Sequence, residues 1–266
     1  MVELCLEVIN KDGDILSRNI GEDEITLAYR GVYKPGDKII LTSSKKDIYL
    51  VLRLEDSLES SFAYLKDYTT EFEIPFDKER KPYGLKAFTE ERHWSWVRLA
   101  KKYEIESYKN LAKNTFDRKE NKNMFPHATT NVVAEDPVFF VRNVIDGVFE
   151  TSNHGSWPHS SWGINKQKDA WIKIDFGRQV IVDTIALYLR ADFPHDNWWK
   201  EAKITFSNGS TEQIILEKTG KGQEFKFEAR KISWIKLSNL IMSEEESEFP
   251  ALSQFEVYGR DVVNFK

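Results

Sequence analysis

A chain of 266 residues is long enough to bury a sizeable core without metal or disulfide support, and its one cysteine, Cys5, excludes an internal disulfide. The net charge of −5 excludes a general nucleic-acid binder, whose surface would be basic. No apolar run approaches the roughly 20 residues of a bilayer span, and the acidic residues 1–9 do not read as a signal peptide, so the expectation is a soluble cytoplasmic protein with no nucleic-acid partner and no membrane insertion.

In chain order, Val2, Leu4, Leu6 and Val8 alternate with polar residues, the period-two pattern of a half-buried strand. A Lys-Asp-Gly-Asp turn follows at 11–14. Strands are expected over residues 24–29, 38–42 and 47–54. Pro35 and Gly36 make the turn between the first two, proline presetting φ and glycine accepting a positive one. Residues 61–65 and 71–76 continue the pattern, and residues 93–99 alternate aromatic and polar positions and close the unit. Short strands at this spacing predict a sandwich. Ile105, Tyr108, Leu111 and Ala112 recur at helical spacing, which predicts a short connecting helix over 103–112. The polar stretch 114–123 then marks a boundary. The expected organisation is an N-terminal β-sandwich domain of unknown function over 1–113 and a second domain over 114–266.

In the second half, residues 170–177 and 180–189 read as strands bounded by glycine and polar turns. Ile172, Ile174 and Phe176 share one face, opposite Trp171 and Lys173, and form the expected core with Ile185, Leu187, Leu189, Ile235 and Leu237. Burying each such side chain contributes about 1.5–3 kcal/mol. Two loops rich in rings and planar polar groups flank these strands, at 152–162 and 190–199, and loops on a rigid β scaffold are where binding groups concentrate.

A saccharide offers an apolar C–H face and a fixed set of hydroxyls, so its site combines an aromatic ring with Arg, Asn, Asp or His side chains. The candidates are His154, Trp157 and His159 from the first loop, and Arg190, Asp192, His195, Asp196, Asn197, Trp198 and Trp199 from the second. Arg190 and Asn197 would donate to hydroxyls, Asp192 or Asp196 would accept, and an exposed tryptophan would stack. Adjacent Trp198 and Trp199 cannot both face one way on a strand, so one belongs to the core. As a surface donor to the saccharide, Arg190 is expected to abolish binding when replaced by alanine and to leave melting nearly unchanged. A loss of folding would instead make it a buried structural partner and count against this site. His195 beside Asp192 and Asp196 also admits an acid–base reading, and His154 with His159 a metal reading. The sequence carries no nucleophile elbow, Walker loop or His-Glu-x-x-His run to support either. The acidic run 243–248 reads as a solvated loop. Alternatives to non-catalytic glycan binding are a protein-docking module and a glycan-processing enzyme that uses the loop Asp and His residues.

From residue 128 to 260 the chain carries an ordered set of motifs: Asn143-Val-Ile-Asp-Gly147, Trp162, Trp171-Ile-Lys-Ile-Asp-Phe-Gly177, Ile185-Ala-Leu-Tyr-Leu189, Ile232-Ser-Trp-Ile-Lys-Leu237 and Leu252-Ser-Gln-Phe-Glu-Val-Tyr-Gly259. This set resembles the coagulation-factor type C (discoidin) family and the family 32 carbohydrate-binding modules. The resemblance implies a galactose-binding-like jelly roll of about eight strands, used as a non-catalytic binding module. The expected fold class is therefore all-β, two β-sandwiches joined by a short helix. The resemblance also implies that the Asp146-Gly147 turn helps hold a structural calcium ion (Ca2+) through carbonyls, the Asp146 carboxylate and a late Glu. Here Gln254 stands at the late position, which removes one negative charge from a hard-cation site. The other reading makes Asp146 a turn former through its own backbone hydrogen bonds. Which sugar is bound and the oligomeric state stay open at this level.

Overall fold

The computed structural model describes residues 1–191 and 196–262. Within them almost every element is an antiparallel strand. The first eight are β1 (Glu3–Ile9), β2 (Ile15–Glu22), β3 (Glu24–Arg30), β4 (Lys38–Ser43), β5 (Ile48–Arg53), β6 (Ser61–Leu65), β7 (Thr69–Glu73) and β8 (Arg92–Leu99). The helix α1 (Lys102–Glu106) and the short strands β9 (Lys109–Asn110) and β10 (Met124–Phe125) follow. A four-stranded sheet in the order β2-β1-β4-β7 faces a five-stranded sheet in the order β10-β6-β5-β8-β3. Between them lies one hydrophobic cluster that includes Leu4, Leu6, Val8, Leu41, Leu50, Leu52, Ala63 and Val97. The alternation in residues 2–8 thus marks a buried face, as expected.

Strand β2 has no counterpart in the sequence reading. It pairs only with β1 within its sheet, and Ile15, Leu16 and Ile20 are exposed. An edge strand that buries neither face leaves no hydrophobic alternation to read.

The helix is shorter than expected. It stops at Glu106 because Ser107 turns extended (φ −65°, ψ 147°), and Lys109–Asn110 instead pairs with the last strand, opposite Gly259 and Tyr258. The Lys109 ammonium donates to the carbonyls of Glu104 (2.8 Å) and Ile105 (3.0 Å), satisfying helix-end acceptors. Leu111 and Ala112 are buried in the second cluster for tertiary reasons, and two apolar residues at helical spacing do not distinguish that from a helix face. The division expected between residues 113 and 114 falls inside a segment that serves both clusters: Leu111 and Ala112 pack into the second, Phe116 and Met124 into the first.

The remaining strands are β11 (His127–Thr130), β12 (Trp162–Gly163), β13 (Ile172–Arg190), β14 (Trp199–Phe206), β15 (Thr211–Ile215), β16 (Gln223–Met242) and β17 (Ala251–Asp261). They form one eight-stranded sheet in the order β12-β17-β13-β16-β14-β15, with β11 added on β13 and β9 on β17. The long strands let this sheet fold around one core. In β13 the buried positions run Ile172, Ile174, Phe176, Val180 and Val182, then Ile185, Leu187 and Leu189. The change from even to odd falls at a register shift between Val182 and Thr184, because one extra residue in a strand moves every later side chain to the opposite face. Gly259 lies at that shift, where a Cβ would sit 2.0 Å from the Ile181 carbonyl oxygen.

The two halves are bolted together by charge on aromatic rings. The Arg178 guanidinium lies 5.3 Å from the Tyr49 ring centroid and 5.4 Å from that of Tyr64. The Lys109 ammonium lies 4.3 Å from the Phe62 ring centroid. Buried Asp261 pairs with both cations, with Arg178 Nε at 2.5 Å and Lys109 Nζ at 2.9 Å.

Candidate functional site

Three neighbouring strands end in register at one corner of the eight-stranded sheet. Gly163 of β12 lies opposite Ala251 of β17, and Ala251 lies opposite Arg190 of β13. The segments that leave these residues must therefore converge, and between them lies a cavity of about 580 Å3, in the range of small-molecule sites. Arg190 and Asp196 line it, with His154, Glu135, Asp136, Phe139 and Phe249 among the other walls.

Arg190 is 3% exposed, and its guanidinium forms a two-pronged pair with the Asp196 carboxylate: Nε donates to Oδ2, and Nη2 to Oδ1 at 2.8 Å. Nη1 donates to Ser161 Oγ at 3.0 Å, and the group lies 5.6 Å from the Phe139 ring centroid. This fixed fork is the polar centre of the cavity. Phe249, 48% exposed, offers an accessible ring at the rim, with the Lys166 ammonium 4.9 Å from its centroid. Asp136 pairs with Lys81 at 2.6 Å. Burial works against its charge, but Lys81 and the Val138 N–H outweigh it and hold the carboxyl below its ordinary range.

Of the residues singled out from the sequence, His154, Arg190 and Asp196 come together here. Asp192 and His195 lie outside the described residues. The others lie elsewhere. Trp199 is 1% exposed in the second cluster, 5.9 Å from the Trp162 ring. Trp198 packs against the same cluster, and its indole N–H donates to Glu245. Asn197 is 1% exposed; its amide donates to the carbonyls of Glu245 and Ser247 and accepts from Ser243 Oγ, so it clamps the acidic loop. Trp157, 45% exposed, sits beside the N-terminal half: its backbone N–H donates to the Lys81 carbonyl at 2.8 Å and its ring lies against Gly84. His159 is half-buried and does not line the cavity. A strand-start tryptophan and a loop-clamping asparagine carry the same letters as ligand contacts, and only packing separates them. Phe249 went unread because it is a single ring in a polar loop, and Phe139 because it sits in the apolar run Val138-Phe-Phe-Val141, which carries no sign of a binding loop.

The Asp146 turn tests whether calcium fits. Asp146 Oδ1 accepts from the Val148 N–H and from Gln254 Nε2, both at 2.8 Å. The same Nε2 donates to the carbonyls of Asn143 (2.6 Å) and Ser253 (2.7 Å), while Gln254 Oε1 accepts from the Gly147 N–H at 3.1 Å. Three acceptors at one end and a donor at the other fix the amide orientation. The oxygens that would face a cation are gathered on an amide nitrogen, whereas calcium needs six to eight oxygen ligands. Burial pushes the Asp146 carboxyl up to about 6 despite Arg142. The donor set does not fit calcium. Among the described residues, no group of three or more His, Cys, Asp or Glu side chains is arranged to hold a metal.

Residues 123–258, just over half of the chain, match the family model of a domain of unknown function, DUF7402. The chain belongs to this family. No curated protein matches it. The chain is similar over part of its length to solved carbohydrate-binding modules. One is a chitosan-binding module of a chitosanase/glucanase from Paenibacillus sp. IK-5, at 21% identity over 57% of this chain and 99% of that one, TM-score 0.39. Another is a fucose-binding module of Streptococcus pneumoniae, at 15% identity over 59% and 99%, TM-score 0.40. A third is the family 32 module of C. perfringens NanJ in complex with galactose, at 16% identity over 49% and 91%, TM-score 0.37. The family 32 resemblance read from the DUF7402 sequence thus recurs among its structural neighbours.

Proposed function

We propose that the chain binds a saccharide reversibly, without chemical turnover, in the cavity at the corner of β12, β17 and β13. The observation that carries this reading is the buried Arg190–Asp196 fork set between Phe139 and the half-exposed Phe249. A sugar ring offers a C–H face for Phe249 and vicinal hydroxyls for a planar polar pair, and this cavity presents both. His154 and Glu135 stand at its wall as further hydrogen-bonding groups.

The way two of the acids, Asp196 and Asp136, are held supports binding without turnover. A glycosidase needs two carboxyl groups flanking the bond, one of them raised to act as general acid. Asp196 is committed to Arg190, and Lys81 with the Val138 N–H holds Asp136 below its ordinary range although burial opposes them.

A shallow site of this kind binds one sugar unit at about millimolar, near −4 kcal/mol. Calorimetric titration with galactose, fucose and chitotriose, followed by a glycan array, tests the reading. Phe249→Ala should weaken the saccharide found by tenfold or more and leave melting within about 1 °C, because the ring is half-exposed and little burial is lost. An array with no bound saccharide, or an unchanged affinity in Phe249→Ala, overturns it. Turnover of a glycoside by the purified protein would overturn the non-catalytic part.

A further inference from the structure

The saccharide cavity has a neighbour. A second cavity, of about 700 Å3, lies between the two halves of the molecule and shares Ala134 and Phe139 with the first. Glu73, Glu79, Pro82 and Tyr83 of the N-terminal half form one wall, and residues 127–142 with Trp162 form most of the other. The walls are held at a fixed separation. Lys81 pairs with Asp136, the Trp157 N–H donates to the Lys81 carbonyl, and the Arg142 guanidinium lies 4.7 Å from the Tyr83 ring centroid. Phe139 is therefore a partition with a cavity on either side, and Gly163 lies against its ring, where a Cβ would meet Cδ1 at 3.4 Å.

The second cavity has polar groups of its own. His127 lines it and is oriented from behind: Nδ1 is 2.8 Å from Oδ1 of Asp117, whose side chain is fully buried. Asp117 Oδ2 accepts from the Ala128 N–H at 3.0 Å, so the carboxylate is fixed in turn. A histidine whose Nδ1 is held by a buried carboxylate directs its other nitrogen chemistry through Nε2. Trp162, 1% exposed, also lines the cavity, and its indole N–H has no acceptor among the described residues. Glu79 and Glu73 add carboxylate acceptors on the opposite wall. Aromatic surface, one imidazole, three carboxylates counting Glu120, and the cations Arg118, Lys119 and Arg142 again offer rings, donors and acceptors to a polyhydroxylated chain.

We propose that the two cavities form one composite site, completed by the N-terminal half, that recognises an oligosaccharide running past Phe139 rather than a single sugar unit. This rests on the saccharide reading above and adds to it the length of the ligand and a role for the N-terminal residues. A chain that fills both cavities gains the second set of contacts without a second loss of rotational and translational freedom, so affinity should climb with chain length.

The test is a titration of the full chain with galactose and galactan oligomers of increasing length, and with glucosamine and its oligomers, against wild type and Glu79→Trp. The substitution puts a bulky ring on the cleft wall at a half-buried position whose side chain has no role in the saccharide cavity. In the wild type, affinity for one of the two series should rise at least tenfold from the single unit to the longer oligomers. In Glu79→Trp that rise should vanish while the single-unit affinity and melting stay at wild-type values. His127→Gln, chosen because it keeps a polar side chain on β11, should reduce the rise without touching the single unit. An affinity independent of chain length, or a rise unaffected by Glu79→Trp, overturns the composite site and leaves the saccharide reading standing. Failure to bind any member of either series or of the array overturns both.

Discussion

Replacing Arg190 by alanine would remove the guanidinium that pairs with the Asp196 carboxylate inside the fold. Asp196 is 4% exposed and Arg190 3%, so each meets solvent only along the cavity wall and a lone charge there would be poorly hydrated. Breaking a buried pair by deleting one partner costs about 3–5 kcal/mol, because the other charge is left uncompensated. At about 2–4 °C per kcal/mol for a unit of this size, the melting temperature should fall by roughly 6–20 °C. Packing of the guanidinium on Phe139 adds to the loss. This differs from the expectation from the sequence, in which replacing Arg190 by alanine abolishes saccharide binding and leaves melting nearly unchanged. The assay is thermal unfolding followed by circular dichroism on wild type, Arg190→Ala and the double variant Arg190→Met with Asp196→Leu. The double variant removes both charges and should recover most of the lost stability. A single variant that melts within about 1 °C of wild type would refute the reasoning, since the pair would then be solvated in solution. Because Arg190→Ala loosens the scaffold, its loss of saccharide binding would say little, which is why Phe249→Ala is the cleaner probe of the site.

Other outcomes follow from the same geometry. Burial works against the charged form of His127, but Asp117, with Asp175 and Glu120, outweighs it and holds the imidazole above its ordinary value. A raised folded value means that this contribution is fully present below about pH 6.5 and is lost as pH rises through the folded value. The melting difference between wild type and His127→Gln should thus be largest near pH 6 and shrink above neutrality; a difference that grows with pH would contradict it. At the Asp146 turn, wild-type melting should ignore both chelator and millimolar calcium. Gln254→Glu should lose stability in chelator and regain it with calcium, by about 2.7 kcal/mol at a hundredfold excess over the dissociation constant. A chelator-sensitive wild type would show that the amide does yield its place to an ion.

Sequence periodicity alone determined the cores. Val2, Leu4, Leu6 and Val8, then Ile172, Ile174 and Phe176, declare buried faces because a strand repeats every two residues and burial of large apolar groups dominates folding. The ordered motifs of the C-terminal half likewise made its family resemblance legible, since each is a strand or turn that the core requires. The helix was legible only as far as Glu106, because the apolar spacing beyond it reflects packing against β17, a contact between residues about 150 positions apart. Edge strand β2 was silent, since its order comes from pairing with β1 and not from burial.

Tertiary structure decided the site. A run such as Arg190 to Trp199 lists donors, acceptors and rings without saying which of them the fold consumes. Trp199 goes to the core and Asn197 to a loop clamp, while Arg190 and Asp196 pair at the cavity wall. The rings that face the cavity, Phe139 and Phe249, arrive from segments about 110 residues apart, brought together because Gly163, Ala251 and Arg190 end three adjacent strands in register. Pairing register is a long-range property, set by which strands meet, and local composition carries no record of it.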